Sequence, residues 1–185
     1  MAAASFFSRW RVRAGYPLAI LFLYLASPTP LAIGIGAAIA AAGLVVRAAA
    51  AGHLRKLETL TISGPYAWMR NPLYFGSALL AGGFAAAGHS VWAGLVLVVY
   101  FGVFYPVVMK KEEGELRERY GAAFIEYAAR VPLFFPRPPR SGGQVPASEP
   151  DGFSWAQYNR NREYQAAFGA ILALGVLWLR MYFPR

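Results

Sequence analysis

The chain of 185 residues contains no cysteine and only two histidines. Without cysteine, disulfide bonds and thiolate metal sites are excluded. The two histidines, His53 and His89, lie far apart in the sequence, so a metal site has little to be built from. A phosphate-binding loop, a dinucleotide fingerprint and a Ser/His/Asp arrangement are also missing. No metal cofactor is therefore expected.

Charged residues are scarce as well, at 15% of the chain, whereas 57% is hydrophobic and the mean hydropathy is +0.38. A soluble domain has about a quarter of its residues charged, so the apolar excess indicates contact with lipid. The net charge of +9 would suggest nucleic acid as the partner of a soluble protein. Here the basic residues cluster beside apolar runs, which favours an anionic membrane surface and no nucleic acid.

Five apolar runs predict helices that cross a bilayer. They cover about 14–30, 31–51, 72–88, 91–110 and 164–183. A Pro-rich turn at 27–30 joins the first two, so they are predicted to form a helical hairpin and not a cleaved targeting peptide. Gly34, Gly36 and Gly43 in the second run permit close helix packing. The predicted fold class is all-α, an integral membrane protein with about five transmembrane helices: two hairpins and a C-terminal helix.

The basic residues predict the orientation of these helices. All lysines and arginines except Arg180 and Arg185 lie in 1–13, 47–72 and 110–164, and the two hairpin turns hold none. The positive-inside rule therefore predicts a multi-pass protein of the bacterial inner membrane with its N-terminus in the cytoplasm. The chain is expected to be a single domain, 1–185, with a Pro/Arg/Gly/Ser-rich linker at about 135–152 on the same side.

The stretch from Ser63 to Gly76 crowds turn residues, aromatics, an arginine and an amide beside an apolar run. Gly64-Pro65 places proline at a first helical position and predicts a short helix ending near Arg70. Asn71-Pro72 repeats the pattern and predicts a longer helix from Pro72 with Asn71 as its N-cap. The free N–H groups at that second start suit an anionic group.

A second polar segment begins with the acidic pair Glu112-Glu113 and ends at Pro132. It predicts a cytoplasm-facing amphipathic helix over about 112–129, with an apolar stripe at helical spacing. The stripe consists of Leu116, Tyr120, Phe124 and Tyr127. Glu112 falls on the same stripe, so its carboxylate needs partners, which a ribose diol or an α-amino group would supply. Glu113 could instead form an ordinary i,i+4 pair with Arg117.

Together the two segments resemble the signature of the isoprenylcysteine carboxyl methyltransferases and the related phospholipid methyltransferases. The first part reads Leu-Thr-Ile-Ser-Gly-Pro-Tyr-Ala-Trp-Met-Arg-Asn-Pro-Leu-Tyr-Phe-Gly over 60–76, where the family has Gly-x-Tyr and then Arg-His-Pro-x-Tyr-x-Gly. The second part, over 112–132, reads Glu-Glu, then Tyr-Gly-Ala-Ala-Phe-Ile-Glu-Tyr-Ala-Ala-Arg-Val-Pro. The resemblance covers roughly 55–136 in the family's order and spacing. Asn71 stands where family members usually have histidine, so a protonation role there is not expected.

The resemblance implies an S-adenosyl-L-methionine-dependent methyltransferase that takes a lipid-like or prenylated acceptor from the bilayer. Carried onto this sequence, it implies cofactor binding by Tyr66, Asn71, Pro72, Leu73, Tyr74, Glu112 and Glu113. It implies catalytic roles for Arg70 and Glu113. Interfacial anchoring is the competing interpretation of Trp68 and Tyr74, because aromatic residues gather at membrane surfaces.

The acceptor's chemistry has two alternatives. A carboxylate acceptor is already ionised at neutral pH and needs only a positive group such as Arg70 to aim it. An amine acceptor would arrive protonated and need a base, for which the chain offers glutamates or His53. Carboxyl O-methylation is therefore favoured, with phospholipid or lipid-amine N-methylation as the alternative and a non-catalytic membrane scaffold as the second. Arg162 and Glu163 either pair with each other or face the substrate.

Overall fold

The structure is a computed structural model that describes residues 2–55, 58–139 and 152–183, with side chains from Arg13 onward. These residues form α-helices and one short 3-10 helix, and no strand occurs among them. The α-helices are α1 (Ala2–Leu25), α2 (Pro30–His53), α3 (Pro72–Gly88), α4 (Val91–Tyr120), α5 (Ala122–Arg130), α6 (Trp155–Arg160) and α7 (Tyr164–Arg180). The 3-10 helix covers Gly64–Ala67. The predicted all-α class is confirmed for this part of the chain.

Local capping explains where two of the helices begin. The Thr29 side chain accepts a hydrogen bond from the Ala32 N–H at 3.2 Å and so caps α2. Ser90 caps α4 in the same way, through the Ala93 N–H at 3.4 Å. His89 between α3 and α4 has a φ of +45°, in the left-handed region that ends many helices. The starts of α2, α3, α4 and α7 therefore lie within one residue of their predicted positions.

Two helices are longer than predicted because good helix formers extend them beyond the apolar runs. α1 covers Ala2–Leu25 and not 14–30, since alanine and arginine carry it through the basic N-terminus. α4 continues to Tyr120, ten residues past its predicted end, and its polar part holds a Lys111–Glu115 ion pair at 3.5 Å.

The predicted amphipathic helix over 112–129 is wrong as a single element. Gly121, with a φ of +52°, separates the last turn of α4 from α5. The apolar stripe nevertheless meets the protein, since Phe124 and Tyr127 are buried and Leu116 and Tyr120 are half-buried. Of the predicted linker, 140–151 lies outside the described residues.

Helices α2 and α3 pack antiparallel at glycine contacts. A Cβ at Gly36 would lie 2.4 Å from the Gly83 carbonyl oxygen, and one at Gly43 would lie 2.6 Å from that of Gly76. Such backbone approach is typical of membrane helices and confirms the predicted role of Gly36 and Gly43. Among the described residues α1 packs mainly against α4, while its sequence neighbour α2 packs mainly against α3.

In the part of the chain that the structure describes, two helices, Pro30–His53 and Val91–Tyr120, are long and apolar enough to cross a membrane, and three apolar segments are shorter. Large apolar side chains cover the outside of the bundle, as on α4, where Val91 is 79% and Trp92 70% exposed. Exposed apolar faces of this extent mark lipid or partner contact.

The bundle has an apolar end and a polar end. The apolar end is closed by a core cluster of buried side chains from five helices. Its members are Phe22, Ala26, Ile33, Ala87, Ala93 and Leu177. At the opposite, polar end lie the last turns of α2, the start of α3 and the start of α7. Both sequence motifs meet at this polar end.

Candidate functional site

Backbone hydrogen bonds join the two sequence motifs directly. The Arg70 N–H donates to the Pro132 carbonyl at 2.9 Å, and the Arg137 N–H donates to the Trp68 carbonyl at 3.0 Å. The segment that follows α5 therefore lies along the segment that precedes α3. Motifs separated by about forty residues in the sequence form one structural unit.

Asn71 strengthens this connection and does not cap α3 with its side chain. Its amide donates to the Leu133 carbonyl at 3.1 Å, and α3 starts at Pro72 without a side-chain cap. The N-cap role predicted for the Asn71 side chain is thus wrong, because the neighbouring motif offers the amide a tertiary acceptor. The predicted helix start is correct, and α3 begins without a side-chain cap hydrogen bond from Asn71.

Arg70 and Glu113 form an ion pair across the two motifs. Arg70 Nε lies 3.0 Å from Glu113 Oε1, and the side chains are 16% and 25% exposed. Both atoms are buried and neither has an aligned hydrogen bond among the described residues, so charge rather than hydrogen-bond geometry holds the pair. Arg70 also donates through Nη1 to the Ala128 carbonyl at 3.1 Å. Its guanidinium therefore bridges α4 and α5.

Glu112 and Tyr74 form a second contact between the motifs. The Tyr74 hydroxyl donates to Glu112 Oε1 at 2.6 Å, and the glutamate remains exposed. The Tyr74 ring meets Tyr105 edge-on at 5.2 Å, and Tyr105 stacks on Phe101 at 4.1 Å. An exposed carboxylate thus stands beside a group of aromatic rings, a combination that suits a cationic ligand group.

Two buried phenols lie beneath these pairs. The Tyr127 hydroxyl donates to the Tyr66 carbonyl at 2.8 Å. Burial raises the pKa of Tyr66 far above its usual value, and Tyr127, Glu112 and Glu163 add to the shift, while Arg47 opposes it. Burial raises the pKa of Tyr127 as well. Both phenols therefore remain neutral donors at any physiological pH.

The structure brings all the residues implied by the resemblance to the polar end. They are Tyr66, Arg70, Asn71, Pro72, Leu73, Tyr74, Glu112 and Glu113. Glu113 pairs with Arg70 across the fold, and not with Arg117 as the local alternative suggested. Arg130 is exposed and pairs with Glu126 at 2.5 Å on the surface of α5.

One buried pair at this end was not predicted. Glu163, 8% exposed, contacts Arg47 Nε at 2.5 Å, and not its neighbour Arg162. Arg162 and Glu163 were expected from the sequence either to pair with each other or to face the substrate, and neither alternative included Arg47. The available signal was an arginine near the end of an apolar helix, where a charge needs a partner.

The polar groups at this end of the bundle are chemically suited to S-adenosyl-L-methionine. Carboxylates at Glu112 and Glu113 can accept hydrogen bonds from a ribose diol or an ammonium group. The first turn of α3, which no side chain caps, can receive a carboxylate. Among the described residues, no group of three or more His, Asp or Glu side chains could hold a metal ion.

Comparison with known proteins finds a family match over just under half of the chain. Residues 36–123 match the family model of phospholipid methyltransferases. The chain is 41% identical over 83 residues to the cobalt-zinc-cadmium resistance protein CzcN of Cupriavidus metallidurans. The aligned segment covers 45% of this chain and 38% of that protein. It is 36% identical over 83 residues, with the same coverage of 45% and 38%, to the nickel-cobalt-cadmium resistance protein NccN of Alcaligenes xylosoxydans xylosoxydans.

The match thus spans little more than a third of the length of these curated relatives. No solved structure matches the chain. The matched residues 36–123 contain the glycine contacts of α2 and α3, the first motif and the acidic pair. Residues 36–123, just under half of the chain, thus match the phospholipid methyltransferases, to which the isoprenylcysteine carboxyl methyltransferases are related, and helices apolar enough to cross a bilayer point to a membrane protein.

Proposed function

We propose that the chain is an S-adenosyl-L-methionine-dependent methyltransferase that modifies a lipid-like acceptor from the bilayer. The observation that carries the proposal is the junction of the two motifs, where Arg70–Glu113 and Tyr74–Glu112 pair at the polar end. It is a five-span protein in this proposal, with the polar end in the cytoplasm, where a soluble donor can enter. The family match supports the reaction class.

When bound, the donor supplies an electrophilic methyl group on a sulfonium, and the acceptor atom forms its bond to carbon as the carbon–sulfur bond breaks. The chain's residues need only bind and align the two partners. Glu112, Glu113 and the start of α3 would hold the polar parts of the donor. The aromatic rings around Tyr74 would face the sulfonium, whose charge is lost in the reaction, without over-stabilising it.

Carboxyl O-methylation is the proposed reaction, with Arg70 aiming the acceptor carboxylate. Arg70 keeps a neutralising partner in Glu113, so the acceptor would share the guanidinium with that glutamate. The same pairing favours lipid-amine N-methylation as a second candidate. If Glu113 satisfies Arg70, the exposed Glu112 remains to attract an ammonium group.

A radiolabelled donor distinguishes the two reactions. Membrane lipids incubated with the protein and methyl-labelled donor are expected to gain label that mild base releases as methanol, because esters hydrolyse and N-methyl groups do not. Label that resists base would contradict O-methylation and support the amine acceptor. Absence of label from every lipid fraction would favour the scaffold alternative.

Donor binding is expected to raise thermal stability. S-adenosylhomocysteine at about one hundred times its dissociation constant should stabilise the folded protein by about 2.7 kcal/mol, because it binds the folded state alone. The thermal midpoint in detergent and in lipid nanodiscs measures this effect, with adenine as the control ligand. No shift in either medium at millimolar S-adenosylhomocysteine would count against the enzyme.

Substitutions in the acidic segment test the proposed donor contacts. Glu112→Gln and Glu113→Gln are each expected to weaken S-adenosylhomocysteine binding by about 1.5–3 kcal/mol, the value of a hydrogen bond to a charged group. Calorimetric titration of purified protein measures the change. Glu115→Gln and Glu118→Gln are the matched controls, since both glutamates are exposed on the same helix. Equal losses at all four positions would indicate surface electrostatics and no site.

A further inference from the structure

Arg47 and Glu163 form a largely buried ion pair where α2, α3 and the start of α7 meet. Arg47 lies on α2, and Glu163 immediately precedes α7. Arg47 Nε and Glu163 Oε1 are 2.5 Å apart, and the two side chains are 21% and 9% exposed. Burying two charges carries a large desolvation cost, which only good geometry and further hydrogen bonds offset. In a membrane helix such a pair is a functional candidate.

Arg47 also contacts the first two turns of α3, through Nη1. Its Nη1 donates to the Ser77 hydroxyl and, at 3.4 Å, to the Leu73 carbonyl. The Ser77 hydroxyl donates in turn to the Leu73 carbonyl at 2.8 Å. Gly76 makes room for the arginine, because a Cβ there would lie 2.6 Å from Arg47 Cγ. The guanidinium therefore links α3 to Glu163.

The chain before Glu163 is fixed so that this carboxylate reaches Arg47. The Asn161 amide donates to the carbonyls of Ala51 and Leu54, at 2.9 and 3.0 Å, and so satisfies the C-terminal end of α2. Arg162 then takes a φ of +53°, a left-handed conformation that a non-glycine residue adopts only at some cost. The strained turn is held between two tertiary anchors.

The pair adjoins the candidate site through the start of α3. Leu73, which Arg47 contacts through its carbonyl, directly precedes Tyr74, whose hydroxyl holds Glu112. Both Arg47 and Glu163 are close enough to Tyr66 to act on the pKa of its phenol. A displacement of α3 against α2 would therefore move the Tyr74–Glu112 contact and the first turn of α3 together.

We propose that Arg47 and Glu163 are positioning residues for methyl transfer. Through Ser77 and the Leu73 carbonyl they fix the position of the start of α3 relative to the bound methyl donor. This inference rests on the proposed function. A purely structural pair makes a different prediction, because replacing both members of a buried ion pair with uncharged groups is often neutral for stability. Stability and activity should then recover together in a double variant.

The test compares single and double variants of the pair in the full chain. Glu163→Gln and Arg47→Met each leave one buried charge without its partner, so the thermal midpoint should fall. The double variant Arg47→Met/Glu163→Gln should regain much of that midpoint. Its affinity for S-adenosylhomocysteine and its kcat/KM should nevertheless stay roughly ten- to hundredfold below wild type, because the start of α3 is misplaced.

Arg47→Lys is the second variant, and it keeps the proposal testable if the double variant does not fold. Lysine retains the charge opposite Glu163. It has no second nitrogen that could bind Ser77 and the Leu73 carbonyl at the same time. We expect a nearly unchanged midpoint with weaker donor binding. Arg160→Met/Glu58→Gln is the matched control, since that ion pair, at 2.7 Å, is exposed. It should change neither property.

The outcomes separate this inference from the proposed function. Wild-type protein that binds S-adenosylhomocysteine, together with a folded double variant or Arg47→Lys of unchanged affinity and turnover, would overturn the positioning role alone. Wild-type protein that neither binds S-adenosylhomocysteine nor transfers methyl groups would overturn both. Lost affinity at a retained midpoint supports the inference.

Discussion

Replacing Arg70 with lysine is expected to lower methyl transfer by roughly ten- to hundredfold, the rate equivalent of one charge-assisted hydrogen bond. The guanidinium reaches Glu113 and the Ala128 carbonyl at the same time, which joins α4 to α5 beside the start of α3. Lysine keeps the positive charge but presents a single compact ammonium group without the planar fork. The substitution therefore tests geometry at constant charge.

Measuring donor affinity and turnover on Arg70→Lys separates three roles. If Arg70 aims an acceptor carboxylate, turnover falls and S-adenosylhomocysteine affinity stays nearly unchanged. If Arg70 holds the donor's own carboxylate beside Pro72, affinity falls together with turnover. If Arg70 extends to lipid phosphates, lysine serves almost as well. Unchanged turnover would contradict the catalytic assignment.

Arg130→Lys is the matched control for this substitution. Arg130 also pairs with a glutamate, Glu126, but the two side chains are 42% and 54% exposed on the surface of α5. Exposed pairs contribute about 0–1 kcal/mol, so this variant should retain stability and turnover. A similar loss in both variants would point to a general need for arginine at the membrane surface, and not to a site at Arg70.

Local signals in the sequence were sufficient for most helix starts. Proline at a first helical position, and serine or threonine before an apolar run, act through backbone groups within three residues. Thr29 and Ser90 cap α2 and α4 through such local contacts. For the same reason, the start of α3 at Pro72 followed from two adjacent residues.

The helix break at Gly121 was missed because two signals conflict there. The apolar stripe continues at helical spacing from Tyr120 to Phe124 and favours one helix across the glycine. Gly121 takes a φ of +52°, which glycine adopts at little cost, and the chain turns between α4 and α5. The turn brings Ala128 and Tyr127 back onto the first motif. A periodic pattern alone does not reveal such a turn.

Partners across the fold were beyond the reach of a single sequence. Arg70 and Glu113 were each expected at the site, but their contact with each other depends on the α4–α5 turn. Arg47 and Glu163 are 116 residues apart, and Asn161 and the Arg162 turn must first be in place. The Asn71 side chain was assigned to a local cap, and a tertiary acceptor at Leu133 competes successfully for its amide.

Gly83→Ala is expected to destabilise the protein, whereas Gly82→Ala is not. A Cβ at Gly83 would lie 2.6 Å from the Gly36 carbonyl oxygen and 2.7 Å from the Ala40 nitrogen. Both are backbone atoms, so α2 as a whole must move away to relieve the clash. Overpacking of this kind costs about 1–3 kcal/mol, occasionally more. It would also pull Arg47 away from Ser77 and so reduce methyl transfer.

Gly82 provides a control on the same helix, one residue away. Apart from its chain neighbours and the adjoining backbone of α3, no atom of the described residues lies within 4 Å of the position that its Cβ would take, so alanine fits without displacement. The helix preference for alanine over glycine, about 0.8–1 kcal/mol, applies equally at both positions and therefore cancels in the comparison. Measured in one detergent, the thermal midpoint of Gly83→Ala should lie below that of the wild type, and the midpoint of Gly82→Ala should lie above it. Equal midpoints would show that α2 and α3 do not approach each other through Gly36 and Gly83, and the link from Arg47 to the start of α3 would then lose its support.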